Sequence, residues 1–338
     1  MRETLYKIID TLSDGEFHLG TDMGAALNIT RSAIWKTVKQ LSELGITLET
    51  NTQQGYRIPN GLSLLTAKEL TRFVSPQNRH FLRQLHLFNE IDSTSNFLLA
   101  LNERGQGNKQ PQFCLAEFQS AGRGRRGRTW VSPYAASIHL SVLWHFTRDH
   151  SQLAGLSLAI AVAVIRALQH FGIENELNVK WPNDILWRRR KLGGVLIELN
   201  GEFNAVSSVV IGVGLNVNFA EDKNEHINQP WIDLSRIVQQ PVNRNHIAGL
   251  MLNEIINALL HYEHYGLAGF INEWRQFDGL VDNPVTLQTA NQKITGIARG
   301  INEQGVFLLE MHNGKIETFS AGDVSVRHDK RRTHLAKP

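Results

Sequence analysis

Between two apolar, strand-like runs the chain carries Gly122-Arg123-Gly124-Arg125-Arg126-Gly127-Arg128, four arginines and three glycines in seven residues. The spacing satisfies G-x-G-x-x-G, and its surroundings exclude the fold that pattern usually announces. A dinucleotide-binding turn needs a helix opening at the glycines and an acidic residue about twenty positions on. Here Thr129-Trp130-Val131-Ser132-Pro133 follows, which cannot continue a helix. Glycine lets a backbone approach a ligand closely, and arginine gives bidentate contacts to anionic groups. Like charges packed this densely repel, so the loop is expected to be disordered when free and ordered by an anionic ligand. A flexible nucleic-acid segment of RGG type would come as repeats in a low-complexity tail rather than once between strands.

The rest of the charge is near balance. Lys+Arg 35 against Asp+Glu 32 gives a formal +3, which excludes a histone-like polycation and an acidic disordered protein. It does not exclude nucleic acid, where placement of charge decides. One cysteine, Cys114, excludes an intramolecular disulfide framework and a multi-cysteine metal site. Met1-Arg2-Glu3-Thr4 lacks a signal-peptide pattern, and the apolar run Leu153–Leu168 is too short and mixed to span a membrane. A soluble, cytoplasmic, multidomain chain is expected.

Residues 1–62 read as a unit. Leu5, Ile8, Ile9 and Leu12 recur at helical spacing. Thr21 is placed to cap a second helix over Asp22–Leu27, and Thr30 a third over Arg31–Leu44. Short strands over Ile46–Thr50 and Tyr56–Ile58 follow, joined at Gln53-Gln54-Gly55. Three helices and a hairpin in this order predict a winged helix-turn-helix. Ile34, Val38 and Leu41 form one face of the third helix. Ser32, Lys36 and Lys39 fall on the other, with Trp35 at its flank. From Thr30 to Leu41 there are three basic residues and no acidic one, inside a sixty-residue stretch with a net charge of −1. The candidate DNA contacts are Thr21, Asp22, Thr30, Arg31, Ser32, Trp35, Lys36 and Lys39; a solvated helix face is the plainer alternative.

The fold class expected for the chain is α+β, and residues 66–275 predict an α/β domain with a mixed or antiparallel sheet. Strands are expected over Leu85–Asn89, Phe113–Phe118, Ala136–Trp144, Leu196–Leu199, Val206–Val213 and Leu215–Val217, and helices over Ser95–Glu103, Ser151–His170 and Arg244–Tyr265. Asp222–Gln240 reads as loop. Residues 280–328 hold five short strands with turn signals such as His312-Asn313-Gly314, which predicts a small β-barrel. The last ten residues, 329–338, form a basic tail expected to be disordered.

Three further stretches carry chemistry. In Lys180-Trp181-Pro182-Asn183-Asp184 a turn gathers a lysine, a tryptophan and a carboxylate. In Arg188-Arg189-Arg190-Lys191-Leu192-Gly193-Gly194 a basic hairpin tip runs into a glycine pair, and Lys191 borders the backbone a ligand could approach. Gly212-Val213-Gly214-Leu215-Asn216 is a strand with room for a flat group, or a bulge. There is no nucleophile elbow and no Walker pattern. The chemistry expected is positioning and charge stabilisation, as in nucleotidyl transfer to a carboxylate.

Taken in order, these features resemble the bifunctional biotin–protein ligases that also act as biotin-operon repressors. The resemblance rests on the helix-turn-helix, Asp92-Ser93-Thr94-Ser95-Asn96, Glu117–Ala121 running into the Arg-Gly loop, Lys180–Asp184, Lys191–Glu198 and Gly214–Asn218. It implies a central domain like class II aminoacyl-tRNA synthetases and an SH3-like C-terminal barrel. It also implies two steps, from biotin and ATP to biotinyl-5′-AMP and then to a lysine of the biotin carboxyl carrier protein. Ser93, Thr94, Ser95, Gln119, Arg123, Gly124, Arg125 and Lys191 are the implied biotin contacts. Lys191, Arg125, Lys180 and Asp184 are the implied catalytic set, and Trp130, Asn183, Gly194 and Asn216 the implied adenylate side. Mg²⁺ is expected to be held by ATP phosphates and water rather than by a protein cage. Ser95 departs from the family, which often has asparagine there. The implied partners are the carrier protein, operator DNA and a second copy of the chain in a ligand-promoted homodimer, with no membrane. A regulator that has lost catalysis and a lipoate ligase are the alternatives. Retention of Lys191, Arg125 and Gln119 argues against the first, and the Arg-Gly loop against the second.

Overall fold

The computed structural model describes residues 2–105, 110–131, 133–147, 153–200, 207–219, 229–289, 292–321 and 325–328. The expected basic tail, 329–338, lies outside them, as do the ends of some expected elements (Ser151, Val206, Val324) and part of the expected loop before residue 229. The chain divides into two compact units, Met1–Leu143 with Gly212–Gly249, and Trp144–Ile211 with Leu250–Pro338.

The first unit opens with α1 (Arg2–Leu12), α2 (Gly20–Leu27) and α3 (Arg31–Gln40), then the hairpin β1 (Glu49–Asn51) and β2 (Gly55–Arg57). Leu5, Ile8, Ile9 and Leu12 are the buried stripe of α1 and meet Met23, Ile34, Val38 and Leu41 in one core. Thr21 is not a cap. α2 begins two residues earlier, behind Leu19, and the Thr21 hydroxyl donates to Asp22 Oδ1 at 3.1 Å. Thr30 does cap α3, accepting from the Ala33 N–H at 3.2 Å. The helix stops at Gln40 rather than Leu44 because the next N–H groups, on Leu41, Glu43, Leu44 and Gly45, bond three residues back. The strands are shifted from Ile46–Thr50 and Tyr56–Ile58 because Ile46 and Ile58 are core residues, and the Ile46 N–H goes to Leu41 O at 3.0 Å. Asn51 Oδ1 closes the hairpin turn, accepting from Gln53 and Gln54 at 2.9 and 3.1 Å. Replacing Thr30 by alanine removes the side-chain acceptor of the Ala33 N–H, which keeps only the Thr30 carbonyl at 3.0 Å. The expected result is a loss of about 1 kcal/mol of stability, read from urea unfolding.

After α4 (Ala67–Arg72) the same unit builds a sheet from β3 (Leu85–Ile91), β4 (Gln112–Gln119) and β5 (Ser137–Phe146), with α5 (Thr94–Glu103) between the first two. β3 and β4 are parallel, while β4 and β5 are antiparallel with Cys114 opposite Ser141, so the sheet is mixed as expected. Cys114 is fully buried, and burial pushes its thiol up. Within the first unit the helix-turn-helix also meets residues that follow it in the chain. Tyr6 Oη donates to Glu90 Oε2 at 2.7 Å, and the Tyr134 N–H donates to Leu44 O at 3.0 Å.

In the second unit α6 (Leu156–His170) is apolar nearly all round and is buried accordingly. Its first residue, Leu156, follows Gly155 (φ 83°), where a Cβ would come within 2.6 Å of Leu267. α6 packs on β6 (Leu177–Lys180), β7 (Asp184–Trp187) and β8 (Arg190–Asn200), an antiparallel meander of which only the last was anticipated. Arg188 and Arg189 (φ 46° and 63°) form the two-residue turn between β7 and β8. β9 (Ser207–Asn216) is one strand where two were expected. Within the expected 222–240 loop, α7 (Leu234–Val238) forms because the Asp233 carboxylate caps it, accepting from the Arg236 N–H at 2.9 Å. α8 (Arg244–Tyr265) has the expected bounds, and α9 (Ile271–Gln276) is joined to α6 by Arg166 Nε donating to Glu273 Oε1 at 2.9 Å.

The C-terminal strands β10 (Pro284–Gln288), β11 (Lys293–Ile301), β12 (Phe307–Glu310), β13 (Ile316–Phe319) and β14 (Ser325–His328) form one antiparallel sheet in the order β13-β12-β11-β10-β14. Just before it, Asp278 sits where burial pushes its carboxyl up to about 6, against backbone N–H donors that include Leu280 at 2.8 Å. A raised carboxyl stabilises the fold below its unfolded value near 4, and that contribution is lost as pH rises through about 6. The melting temperature is therefore expected to rise between pH 7 and pH 5. In Asp278→Asn, which keeps an acceptor for Leu280, the rise should shrink.

Candidate active site

The first cluster is built where α5 begins. Ser93 is its N-cap, accepting from the Asn96 N–H at 3.4 Å, which turns Thr94 and Ser95 inward; all three are at most 5% exposed. Gln119 ends the parallel strand beside them. Its Oε1 accepts from the Thr94 N–H at 2.8 Å and from Thr94 Oγ1 at 3.0 Å. Ser141 and His139, alternating on β5, complete the group. Ser141 Oγ lies 2.7 Å from Thr94 Oγ1 and 3.0 Å from Ser95 Oγ, while His139 Nδ1 is 3.1 Å from Gln119 Nε2. Neither was anticipated. The signal was present in Ser137, His139 and Ser141, three polar residues at period two inside an otherwise apolar strand. Burial lowers the His139 imidazole to about 3, with Arg244 adding to the effect, so it is neutral at working pH.

The Arg-Gly loop follows directly. It was expected to be disordered, and it has a defined path. Arg123 and Thr129 form a bridge, the Gly124 N–H donates to Arg128 O at 2.7 Å, and the Trp130 N–H to Gly122 O at 2.9 Å. Arg126 (φ 59°) and Gly127 (φ 70°) reverse the chain between them. The backbone closure holds the turn despite the charge. Gly122 is required by contact, since a Cβ there would lie 2.6 Å from Trp130 O and 3.2 Å from Gln119 Nε2. Arg123 Nη1 donates to Asn96 Oδ1 at 2.6 Å, which ties the loop to the first turn of α5. Arg125 and Gly124 are half-buried. Trp130 lies against Gly214, where a Cβ would be 2.6 Å from the indole. The room that strand offers to a flat group is taken by the chain's own tryptophan. Asn216 is buried and donates from Nδ2 to Ile232 O at 3.0 Å.

The second cluster belongs to the second unit. Asp184 lies between two lysines, with Oδ1 2.6 Å from Lys191 Nζ and Oδ2 2.8 Å from Lys180 Nζ. Lys180 faces Asp184 across β6 and β7. Lys191 reaches it from β8, at a register shift between Ile185 and Leu186. Burial acts to raise the Asp184 carboxyl, but Lys191 and Lys180 together hold it at about 2. It is therefore ionised throughout the working range. Gly194 pairs with Asp184 and lies against Lys191, 3.5 Å from Nζ to the position a Cβ would take. Asn183 is tied to Val195, its Nδ2 donating to Val195 O at 2.8 Å and its O accepting from the Val195 N–H at 2.9 Å. Trp181 anchors the turn, donating from Nε1 to Gly305 O at 3.0 Å.

The third surface is the outer face of α3. Thr21, Asp22, Thr30, Arg31, Ser32, Trp35, Lys36 and Lys39 are all exposed. Trp35 is 49% exposed, with Lys39 Nζ 3.6 Å from its ring centroid. A large exposed aromatic beside exposed cations, on the second helix of a helix-turn-helix, suits a groove contact.

Among the described residues, no three His, Cys, Asp or Glu side chains cluster as a metal site, and no helix is long and apolar enough to cross a membrane.

Comparison with known proteins covers all three regions. The family profile described as Biotin/lipoate A/B protein ligase family matches residues 87–216, Biotin protein ligase C terminal domain matches 282–327, and HTH domain matches 4–57. The chain is 35% identical over 321 residues to the bifunctional ligase/repressor BirA of Escherichia coli, covering 95% of this chain and 96% of that one. It is 34% identical to the biotin–[acetyl-CoA-carboxylase] ligase of Mycobacterium tuberculosis over 72% of this chain and 88% of that one. Among solved structures it resembles the biotin protein ligase of Aquifex aeolicus in complex with biotin and ATP, with a TM-score of 0.62 and 27% identity, covering 73% of this chain and 100% of that one.

Proposed function

The chain belongs to the family of bifunctional biotin–protein ligases and repressors, and from that premise we infer what its two clusters and its exposed helix do. It is an ATP-dependent biotin–protein ligase. It condenses biotin with ATP to biotinyl-5′-AMP and pyrophosphate, then passes the biotinyl group to a lysine of the biotin carboxyl carrier protein. It is also a repressor that binds DNA through its helix-turn-helix.

The observation that carries the ligase reading is the buried Asp184 held ionised by Lys191 and Lys180. Adenylation sets a carboxylate against a triphosphate, and the pentavalent phosphorus it forms gains negative charge. Fixed cations in a partly dry site stabilise that charge. Lys191 is assigned to the carboxylate and the charge developing at phosphorus, and Lys180 to the phosphates. Both Asp184 oxygens are engaged by the lysines, which makes it a positioning residue that aims the two ammonium groups. Ser93, Thr94, Ser95 and Gln119 supply the hydrogen bonds for the ureido group. Arg123, Gly124 and Arg125 close over the ligand carboxylate. Trp130, Asn183, Gly194 and Asn216 are each assigned to the adenylate.

Mg²⁺ is assigned to the ATP phosphates and water rather than to a protein cage, and both Asp184 oxygens face lysines. It enters with ATP, as part of the substrate.

Residues 1–62 are assigned as the DNA reader, 66–275 as the ligase core and 280–328 as the C-terminal domain. Biotinyl-5′-AMP favours a homodimer that presents two copies of α3 to a palindromic operator in the cytoplasm. Sedimentation with and without biotin and ATP tests the dimer, which is overturned if the ligands leave the mass unchanged. One experiment separates the ligase from a silent regulator and from a lipoate ligase. The chain is incubated with ATP, a carrier domain and either labelled biotin or labelled lipoate. Label on the carrier with biotin alone is the expected result. Label with lipoate alone, or with neither, overturns the reading.

A further inference from the structure

The hydrogen bonds around Gln119 have a direction, and it can be worked out from donors that have no choice. The Thr94 N–H can only donate, so the Gln119 atom 2.8 Å from it is the acceptor Oε1. The amide nitrogen then faces His139 Nδ1 at 3.1 Å and must donate to it. His139 is therefore the tautomer with its hydrogen on Nε2. Thr94 Oγ1 donates to the same Oε1, so its hydrogen is used. Ser141 must be the donor in its 2.7 Å contact with Thr94, and Ser95 the donor in its 3.0 Å contact with Ser141. The result is a one-way chain from Ser95 through Ser141 and Thr94 to Gln119 and His139.

We propose that His139 is a positioning residue for the acyl-group pocket. Its neutral imidazole, accepting at Nδ1, fixes the orientation of the Gln119 amide and with it the polarity of the whole chain. This rests on the biotin reading of that pocket. A ureido group carries two N–H donors and one carbonyl acceptor. The chain as oriented leaves Ser95 Oγ with lone pairs to receive an N–H, and Gln119 Nε2 with a second hydrogen to give. A protonated imidazole would set a donor against the Gln119 nitrogen and work against this orientation. Burial, which keeps His139 neutral, guards against that state.

The test uses the full-length chain. His139→Leu removes the acceptor. His139→Asn restores one, because asparagine Oδ1 stands two bonds from Cβ, as imidazole Nδ1 does. In His139→Leu the Kd for biotin, by calorimetry, and its KM are expected to rise about tenfold, the value of one net hydrogen bond, with kcat changed less. His139→Asn should recover most of the loss. Gln119→Ala with His139→Leu should bind no worse than Gln119→Ala alone, because His139 acts through Gln119. Equal affinity of His139→Leu and wild type, no rescue by asparagine, or multiplicative losses in the double variant would each overturn the proposal. Nitrogen NMR of the imidazole gives a second, ligand-free readout, with Nε2 protonated and Nδ1 accepting. A charged ring or the opposite tautomer at pH 7 also overturns it. A wild-type chain that shows this tautomer but binds no biotin sinks the ligase reading and leaves the His139–Gln119 pairing standing.

Discussion

Replacing Lys191 by methionine is expected to slow formation of the acyl-adenylate by about 10²- to 10³-fold, the usual cost of removing one fixed charge or donor from a developing oxyanion. Methionine keeps the length of the stem and removes only the ammonium, so packing against Gly194 is preserved. Asp184 is not abandoned, because Lys180 still holds its other oxygen at 2.8 Å. The chain should remain folded, with the loss appearing in kcat more than in the biotin KM. Pyrophosphate release with biotin and ATP reads the first step alone, and a thermal melt separates it from unfolding. Lys191→Arg should rescue poorly, since a planar guanidinium cannot take the place of a compact ammonium inside the Asp184 pair. The ion pair itself tolerates acid. With Asp184 held at about 2, its contribution is complete above the unfolded carboxylate value near 4 and disappears only as pH falls through about 2. A loss of adenylation between pH 7 and pH 5 would therefore have to come from another group. A Lys191→Met variant with near wild-type pyrophosphate release would remove the role assigned to this lysine.

The basic run before the glycine pair pointed to Lys191, and the structure sets its Nζ 2.6 Å from Asp184 Oδ1, a pairing the sequence did not announce. The Arg-Gly loop was legible in the same way, from charge set among glycines. Thr30 was readable as a cap and Thr21 was misread as one, since both are threonines ahead of apolar residues. Only the chain path into the helix separates them, with Leu19 extended before α2 and Thr30 extended before α3. β6 and β7 were missed because Leu177–Lys180 and Asp184–Trp187 have four residues each, too short for periodicity to register. His139 and Ser141 lay hidden in a strand whose apolar neighbours pointed to core, and their use depends on Gln119 from a different strand and Thr94 from a helix. The C-terminal strands carried turn signals, and the five expected over 280–328 match the five described. What sequence could not convey was long-range pairing of buried charge, and the strongest case is Arg244 with Glu117.

Removing that arginine is expected to cost about 3–5 kcal/mol, the range for breaking a buried ion pair from one side. Arg244 is 0% and Glu117 4% exposed, and the two side chains are 127 residues apart in sequence. Arg244 also donates to Ser137 O from Nε at 3.1 Å and from Nη2 at 2.7 Å, and to Ser63 O from Nη1 at 3.1 Å. The Leu65 N–H donates to Glu117 Oε1 at 2.5 Å, and Asn245 Nδ2 and Oδ1 hold Leu64 O and the Thr66 N–H at 2.7 and 2.9 Å. The pair thus fastens Ser63–Thr66, the segment leading from the helix-turn-helix, to β4 and β5. These are the strands that carry Gln119, His139 and Ser141. Arg244→Met leaves a buried carboxylate without its cation and two carbonyls without donors. Adding Glu117→Gln removes the stranded charge while keeping an acceptor for Leu65, so Arg244→Met/Glu117→Gln should be more stable than Arg244→Met alone. Urea unfolding at pH 7 measures both. Limited proteolysis should show faster cleavage near residues 60–66 in the single variant than in wild type. If instead the double variant were the less stable of the two, the cost would lie in lost packing around the guanidinium rather than in stranded charge. The ion pair would then not be what holds the helix-turn-helix to β4 and β5.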